Sequence, residues 1–148
     1  MQDLGDLDSL YRELILDHHR SPRNTEPLIS PDVEVDAVNP FCGDEVKVQL
    51  KTSGGTLNGI SVTGRGCSIS QSSASMMGEL VKGRSVEDAM RARRAFQALM
   101  KGEALTEDQL ADLGDLEALQ GVKRYPVRIK CALLAWSALE DALKRVRA

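Results

Sequence analysis

Leu7, Leu10, Tyr11, Leu14 and His18 recur at the three- and four-residue spacing of one helical face, and the Arg-Ser-Pro-Arg-Asn run at 20–24 closes that pattern. The opening segment is therefore predicted as an amphipathic helix. From Val33 the period changes to two. Val33, Val35 and Ala37 alternate with Glu34 and Asp36, the pattern of a half-buried strand. The alternation returns as Val46, Val48 and Leu50 against Lys47, Gln49 and Lys51, and, after a Gly-rich turn at 52–59, as Ile60 and Val62 against Ser61 and Thr63. Short connections between such segments predict an antiparallel meander.

Beyond the Gly-Arg-Gly-Cys word at 64–67 the pattern becomes helical as far as Gly83, a helix stop. Ser85, followed by Asp88, is placed to cap the next helix, whose Arg91, Arg93, Arg94 and Lys101 read as a solvated basic face. Thr106 and Gln109 have capping-box spacing and open a connector of short helical pieces. Pro126 suits the first turn of a last helix, with Ile129, Leu133, Trp136, Leu143 and Val146 as its buried stripe. Lys144, Arg145 and Arg147 complement that helix's C-terminal dipole. One helix, three strands, then helices packed on one face of the sheet make an α+β fold.

A chain of 148 residues with 42% hydrophobic content supports one domain, 1–148, with a real core. Its net charge of -3 comes from interspersed acids and bases, which excludes the broad basic field expected of a nucleic-acid binder. No apolar run approaches the roughly 20 residues of a membrane span, and the acidic start lacks the features of a signal peptide, so a cytoplasmic protein is expected. In a reducing compartment three cysteines argue against a disulfide framework. They leave buried thiols, metal ligands or reactive thiols.

Position bears on that choice. Cys42 lies in the predicted turn between the first two strands, within Asn-Pro-Phe-Cys-Gly-Asp-Glu-Val at 39–46, and Cys67 lies just after the third strand. In a regular meander both fall at the same end of the sheet. Cys131 sits near the start of the last helix, where it can complete a cluster. With Asp44 the three thiols offer four donors, enough for a tetrahedral zinc site with Zn–S distances of about 2.3 Å. The donors are spread from position 42 to position 131, unlike the paired knuckles of a structural finger. A carboxylate among thiolates is the harder, weaker donor, which makes exchange at the site plausible. Helix N-termini are expected to give Cys67 and Cys131 thiolate character. On the residues alone, structural thiols and metal-free redox chemistry stay open beside the metal cluster. His18 and His19 read as helix-end surface, Met76, Met77 and Trp136 as core, and Gly64 and Gly66 as a tight turn with close backbone approach.

The blocks at 39–46, at 64–89 and at 128–136 (Arg-Ile-Lys-Cys-Ala-Leu-Leu-Ala-Trp), with Tyr-Arg-Glu-Leu-Ile-Leu-Asp-His-His-Arg-Ser-Pro-Arg-Asn at 11–24, resemble the IscU/SufU family of iron-sulfur cluster assembly over nearly the whole chain. IscU-type scaffolds carry a His directly before the third cysteine and a Leu-Pro-Pro-Val-Lys segment. This chain has Lys130 there and Gly-Val-Lys-Arg-Tyr at 121–125. Together with a helical insertion at about 98–120, these departures resemble the SufU branch. The resemblance implies a zinc-dependent sulfurtransferase that accepts persulfide sulfur on Cys42 from a SufS-type cysteine desulfurase and serves the downstream SUF machinery. It also implies Cys42, Asp44, Cys67 and Cys131 as zinc ligands, Arg128 as an auxiliary residue near them, and a desulfurase histidine that takes over one ligand position. The alternative is an IscU-like scaffold that assembles a [2Fe-2S] cluster on the same residues.

Overall fold

The computed structural model describes the backbone of residues 2–147 and the side chains of residues 11–146. The element order is α1 (Gln2–Arg20), β1 (Val33–Asn39), β2 (Asp44–Ser53), β3 (Thr56–Arg65), α2 (Ser68–Val81), α3 (Val86–Met100), α4 (Glu107–Leu113), a 3₁₀ segment (Gly114–Arg124) and α5 (Pro126–Arg147). The strands form one antiparallel sheet in the order β1-β2-β3. Leu7, Leu10 and Arg147, named above for their side chains, lie outside the described side chains.

The alternation sets the faces. Val33, Val35 and Ala37 pair with Leu50, Val48 and Val46, and Leu50 and Val48 pair in turn with Ile60 and Val62. All of them therefore point to one face, where α2 and α5 cover them. The opposite face is charged. There Asp36 faces Lys47, and Arg65 Nε donates to Glu45 Oε2 at 3.0 Å.

Caps form where the spacing places them. Ser85 Oγ accepts from the Asp88 amide at 3.0 Å, and Thr106 and Gln109 close a reciprocal capping box. Gly83 takes a φ of 83° after α2. The connector is short helical pieces, as expected, although α3 continues to Met100 before the chain turns away.

Three expectations need correction. The fully buried face of α5 is Ala132, Ala135, Trp136, Ala138, Leu139, Ala142 and Leu143, while Ile129, Leu133 and Val146 are half-buried. Small alanines let α5 approach the sheet and α2 closely, so its contact stripe is not its bulkiest one. Arg93 is not solvated. Its Nη1 pairs with Glu140 Oε2 at 2.6 Å and ties α3 to α5. Finally, His18 is only 3% exposed, with Nδ1 2.7 Å from Ser75 Oγ and Nε2 3.4 Å from Asp115 Oδ2. Ser75 Oγ also accepts the Arg23 amide at 3.0 Å, so one hydroxyl on α2 serves both the ring and the segment after α1. The ring joins α1, α2 and the 3₁₀ segment. His19 is exposed, as expected.

α2 and α5 are held in register by a buried hydrogen bond, Ser73 Oγ donating to the Ala132 carbonyl at 2.6 Å. Phe96 stacks on the buried Trp136 with ring centroids 5.2 Å apart, and Met76 and Met77 are buried.

Candidate metal centre

The core face of the sheet ends in a polar row. The parity that turns Val35 and Ala37 inward also turns Asn39 inward, and Asn39 pairs directly with Asp44. Between them Pro40–Gly43 makes a tight turn in which the Cys42 and Gly43 amides donate to the Asn39 carbonyl at 3.2 and 2.8 Å. Asn39 Oδ1 accepts from the Phe41 amide at 3.2 Å, and Gly43 supplies the left-handed φ of 70°. Cys42 is thus presented by a turn, next to a Phe41 that is 81% exposed.

Asp44 is 0% exposed. Its Oδ1 accepts the Cys67 amide at 3.0 Å, and its Oδ2 lies 3.9 Å from Cys67 Sγ. This approach makes glycine necessary at position 66, because a Cβ there would collide with the Asp44 carboxylate and press on Ser70 Oγ, and its φ of 154° suits glycine. At Gly64 a Cβ would collide with the Glu45 carbonyl. Both glycines therefore serve close backbone approach, as their sequence predicts.

Cys67 is the N-cap of α2, its sulfur accepting from the Ser70 amide at 3.5 Å. Cys131 lies one turn inside α5, fully buried, with Sγ 3.1 Å from Cys42 Sγ and 3.9 Å from Asn39 Nδ2. The donor atoms of Cys42, Asp44 and Cys131 all lie within 4.8 Å of one another. Cys67 stands beside this trio through Asp44 but outside that mutual distance, since its sulfur is turned to the α2 cap. Arg128, one helical turn before Cys131, has its guanidinium among the thiols. The neighbouring Cys67, and then a hydrogen bond to Cys131, hold it in the charged form.

One electrostatic expectation is overturned. Cys131 gains no thiolate character from the start of α5. It is the sixth residue of that helix, beyond the first turn where the dipole is felt, and burial, followed by hydrogen bonds to Cys42 and Asp44, pushes its thiol well above the ordinary range. Cys67, as an N-cap, keeps the helix-end environment.

The donor set fits a metal cation on this geometry. Asp44 is a buried carboxylate, and no ion pair among the described residues reaches it. A carboxylate buried without an ion pair is a group that a bound cation would satisfy. Together with the three thiols it offers sulfur and oxygen donors of the kind that hold zinc or iron. Sequence reading missed Asn39, whose side chain shapes the Cys42 turn and faces Cys131. The parity of β1 was the signal that could have found it.

Comparison with known proteins bears on the family. The chain is 43% identical over 141 residues to the zinc-dependent sulfurtransferase SufU of Bacillus subtilis, covering 95% of this chain and 94% of that one. It is 36% identical over 142 residues to the iron-sulfur cluster assembly scaffold protein IscU of Streptococcus pyogenes, covering 96% and 87%. The crystal structure described as a putative iron-sulfur cluster assembly scaffold protein for the SUF system, from the thermophile Fervidobacterium islandicum, superposes with a TM-score of 0.83 at 30% identity, over 88% of this chain and 94% of that one. Residues 10–132 match the model of the NifU-like N-terminal domain. The α+β fold and the three cysteine blocks agree with that match, and the chain belongs to the NifU-like N-terminal domain family, which includes the IscU and SufU proteins.

Proposed function

We propose that the chain is a zinc-dependent sulfurtransferase of iron-sulfur cluster assembly, with Cys42, Asp44, Cys67 and Cys131 as zinc ligands and Cys42 as the sulfur acceptor. The observation that carries the reading is the contrast between two adjacent sulfurs. Cys131 is buried in a helix, whereas Cys42, 3.1 Å away, is half-buried on a turn in which Gly43 takes a left-handed φ of 70°. A transfer site needs one donor able to leave and others that stay. The 43% identity to the B. subtilis sulfurtransferase and the lysine before Cys131 support the same reading.

Zinc in this set would hold the coordinating sulfurs as thiolates at neutral pH. The chain's own residues do the rest. Asp44, fixed by the Cys67 amide, keeps its place while the 39–43 turn carries Cys42 outward. The Cys42 thiolate attacks the outer sulfur of a persulfide on a SufS-type cysteine desulfurase. A new S–S bond forms at Cys42, the partner's S–S bond breaks, and the partner's cysteine leaves as a thiolate, so charge and atoms balance. Arg128, with its guanidinium beside Cys67 and Cys131, is placed to offset anionic sulfur at the site. Release of the sulfur to the downstream SUF machinery completes the cycle.

The test is the intact mass of the zinc-loaded protein after incubation with such a desulfurase and cysteine. One added sulfur atom mapping to Cys42, and lost in Cys42→Ala, is expected. The 36% identity to a scaffold protein favours the second reading, assembly of a [2Fe-2S] cluster on the same residues. An iron-sulfide adduct without persulfide on Cys42 would establish that reading instead.

A further inference from the structure

The turn that presents Cys42 meets α5 at two consecutive positions. Cys42 Sγ lies 3.1 Å from Cys131 Sγ, and the residue before each cysteine meets the other in the same way, with Lys130 Nζ over the Phe41 ring at 5.0 Å from its centroid. That distance is within cation–π reach, about 6 Å. An exposed phenylalanine is ordinary by itself. This one, 81% exposed, is set apart by the ammonium that stands over it. Lys130 is exposed too and joins no ion pair among the described residues, so no carboxylate there competes with the ring for its charge.

The backbone hydrogen bonds of the turn run inward. The Cys42 and Gly43 amides donate to the Asn39 carbonyl and the Phe41 amide to Asn39 Oδ1, so they set the shape of residues 39–43 and do not tie the tip to α5. The sulfur pair and the ring–ammonium pair do reach α5. Phe41 and Cys42 are neighbours in the chain, so an outward shift of the turn that separates the two sulfurs also draws the ring from under Nζ. At an exposed site such a contact biases an equilibrium about two- to fivefold. That favours the closed arrangement without locking it.

We propose that Phe41 and Lys130 form a latch over the Cys42 turn, a cation–π contact that keeps Cys42 beside Cys131 and opens when Cys42 leaves the cluster. Both are positioning residues. Neither is a ligand or a sulfur acceptor, and each acts through the cysteine that follows it. The latch rests on the sulfurtransferase reading for its purpose, since a donor that departs is the one that a weak, reversible restraint serves. Its effect is graded: weakening the contact raises the fraction of chains with Cys42 out and leaves the donor set as it was.

The experiment is a double-mutant cycle read by alkylation of the zinc-loaded chain with iodoacetamide, a neutral reagent, with zinc content followed by native mass and the alkylated position by peptide mass. Phe41→Leu is made in the wild-type background and in Lys130→Gln. The shielding lost with the smaller side chain is then common to both comparisons, and the charge lost at position 130 sits in the baseline of one, so their difference isolates the pair. Both residues are exposed, and thermal melts verify that every variant is folded. Phe41→Leu is expected to speed Cys42 alkylation about two- to fivefold beside Lys130, and by less than about 1.5-fold in the Lys130→Gln background. Phe41→Tyr and Lys130→Arg, which keep a ring and a cation, are expected to match wild type. Equal effects of Phe41→Leu in the two backgrounds, or none in either, would overturn the latch, and so would a Phe41→Tyr rate equal to that of Phe41→Leu. Incubation of wild type with a SufS-type desulfurase and cysteine separates the two readings. Coupling in the cycle with no persulfide on Cys42 keeps the latch and removes the sulfurtransferase reading, and persulfide on Cys42 without coupling does the reverse.

Discussion

Gly66→Ala is the substitution that most directly tests how the site is built. Gly66 sits at a φ of 154°, and its absent Cβ makes room for the Asp44 carboxylate and for Ser70 Oγ. Adding one methyl group therefore has two effects. Forcing alanine into a backbone region that glycine favours costs about 1–3 kcal/mol. Displacing the carboxylate breaks the charge-assisted bond from the Cys67 amide, at 3.0 Å, and a buried bond of that type contributes about 1.5–3 kcal/mol. The sum is about 2.5–6 kcal/mol of stability, concentrated where the Asp44 carboxylate is positioned. Gly54→Ala is the control, because Gly54 also has a left-handed φ, of 60°, but has open space around it in the β2–β3 turn. That variant should lose only about 1–2 kcal/mol. Urea unfolding of the chelated proteins measures the stability terms, and competition with a chromophoric chelator measures zinc binding. Zinc affinity is expected to fall about 10–100-fold in Gly66→Ala and to stay unchanged in Gly54→Ala. Equal destabilisation of the two variants with equal zinc affinity would show that Asp44 is not held by this approach, and the account of the Gly-Arg-Gly-Cys word would be wrong.

Ser73→Ala removes the buried hydroxyl that ties α2 to the Ala132 carbonyl, and urea unfolding should register a loss of about 0.5–1.5 kcal/mol; no loss would mean that alanine packing alone sets the α2–α5 distance. His18→Ala empties a buried ring site shared by three elements and should cost about 2–4 kcal/mol by the same assay, whereas a surface histidine would leave stability unchanged. Asp17 is held below the ordinary carboxylate value first by its hydrogen bond from Arg23 and then by that residue's charge. A folded value below the unfolded one means that the pair's stabilisation is complete above about pH 4 and fades as pH falls through the folded value. The gap between wild type and Asp17→Asn in acid unfolding should accordingly close at low pH. Chelation should leave a folded protein, because the core of Val35, Val48, Leu50, Phe96, Trp136 and Leu139 does not depend on the four donors. Zinc at about a thousand times its Kd should then add about 4 kcal/mol, read as a rise in melting temperature with helical circular dichroism retained on chelation.

Much of the architecture was legible because it depends on parity and local chemistry. The alternations at 33–37, 46–50 and 60–63 are the register of the sheet itself, and a meander with short turns leaves Cys42 and Cys67 no choice but the same end. Gly64, Gly66, Ser85 and Thr106 act within a few residues of where they stand, or against the adjacent strand. What escaped were contacts across long sequence separations. His18 shows the apolar periodicity of α1, yet its partners are Ser75 and Asp115, so nothing near it in the chain marks it as buried. Arg93 reads as surface until Glu140 of α5 is brought to it. Cys131 was placed near a helix start, but a difference of one turn reverses the consequence, since the dipole acts on the first turn and burial acts on the second. Asn39 lies beyond the apolar alternation, which ends at Ala37, whereas strand parity continues through polar residues.

That last residue explains why the site lies at this end of the sheet. A sheet face covered by helices must end somewhere, and the row at which apolar packing stops is either solvated or chemically occupied. Here the final row is Asn39 and Asp44, both buried, so it is not solvated. Asn39 meets its needs locally, through the Phe41 amide and the Cys131 sulfur, and in doing so shapes the turn that carries Cys42. Asp44 has one backbone amide and nearby sulfurs, with no ion pair among the described residues, which leaves room for a metal to complete its surroundings. Cys67 and Cys131 come from two different helices, α2 and α5, whose register Ser73 fixes, while Cys42 comes from the only one of the four donor positions that is neither in a helix, nor at a helix cap, nor in a strand. The same arrangement therefore places three of the four candidate donors in or at regular elements and Cys42 alone on a turn, and a donor held only by a turn beside others fixed by helix and strand is what the proposed sulfur transfer requires.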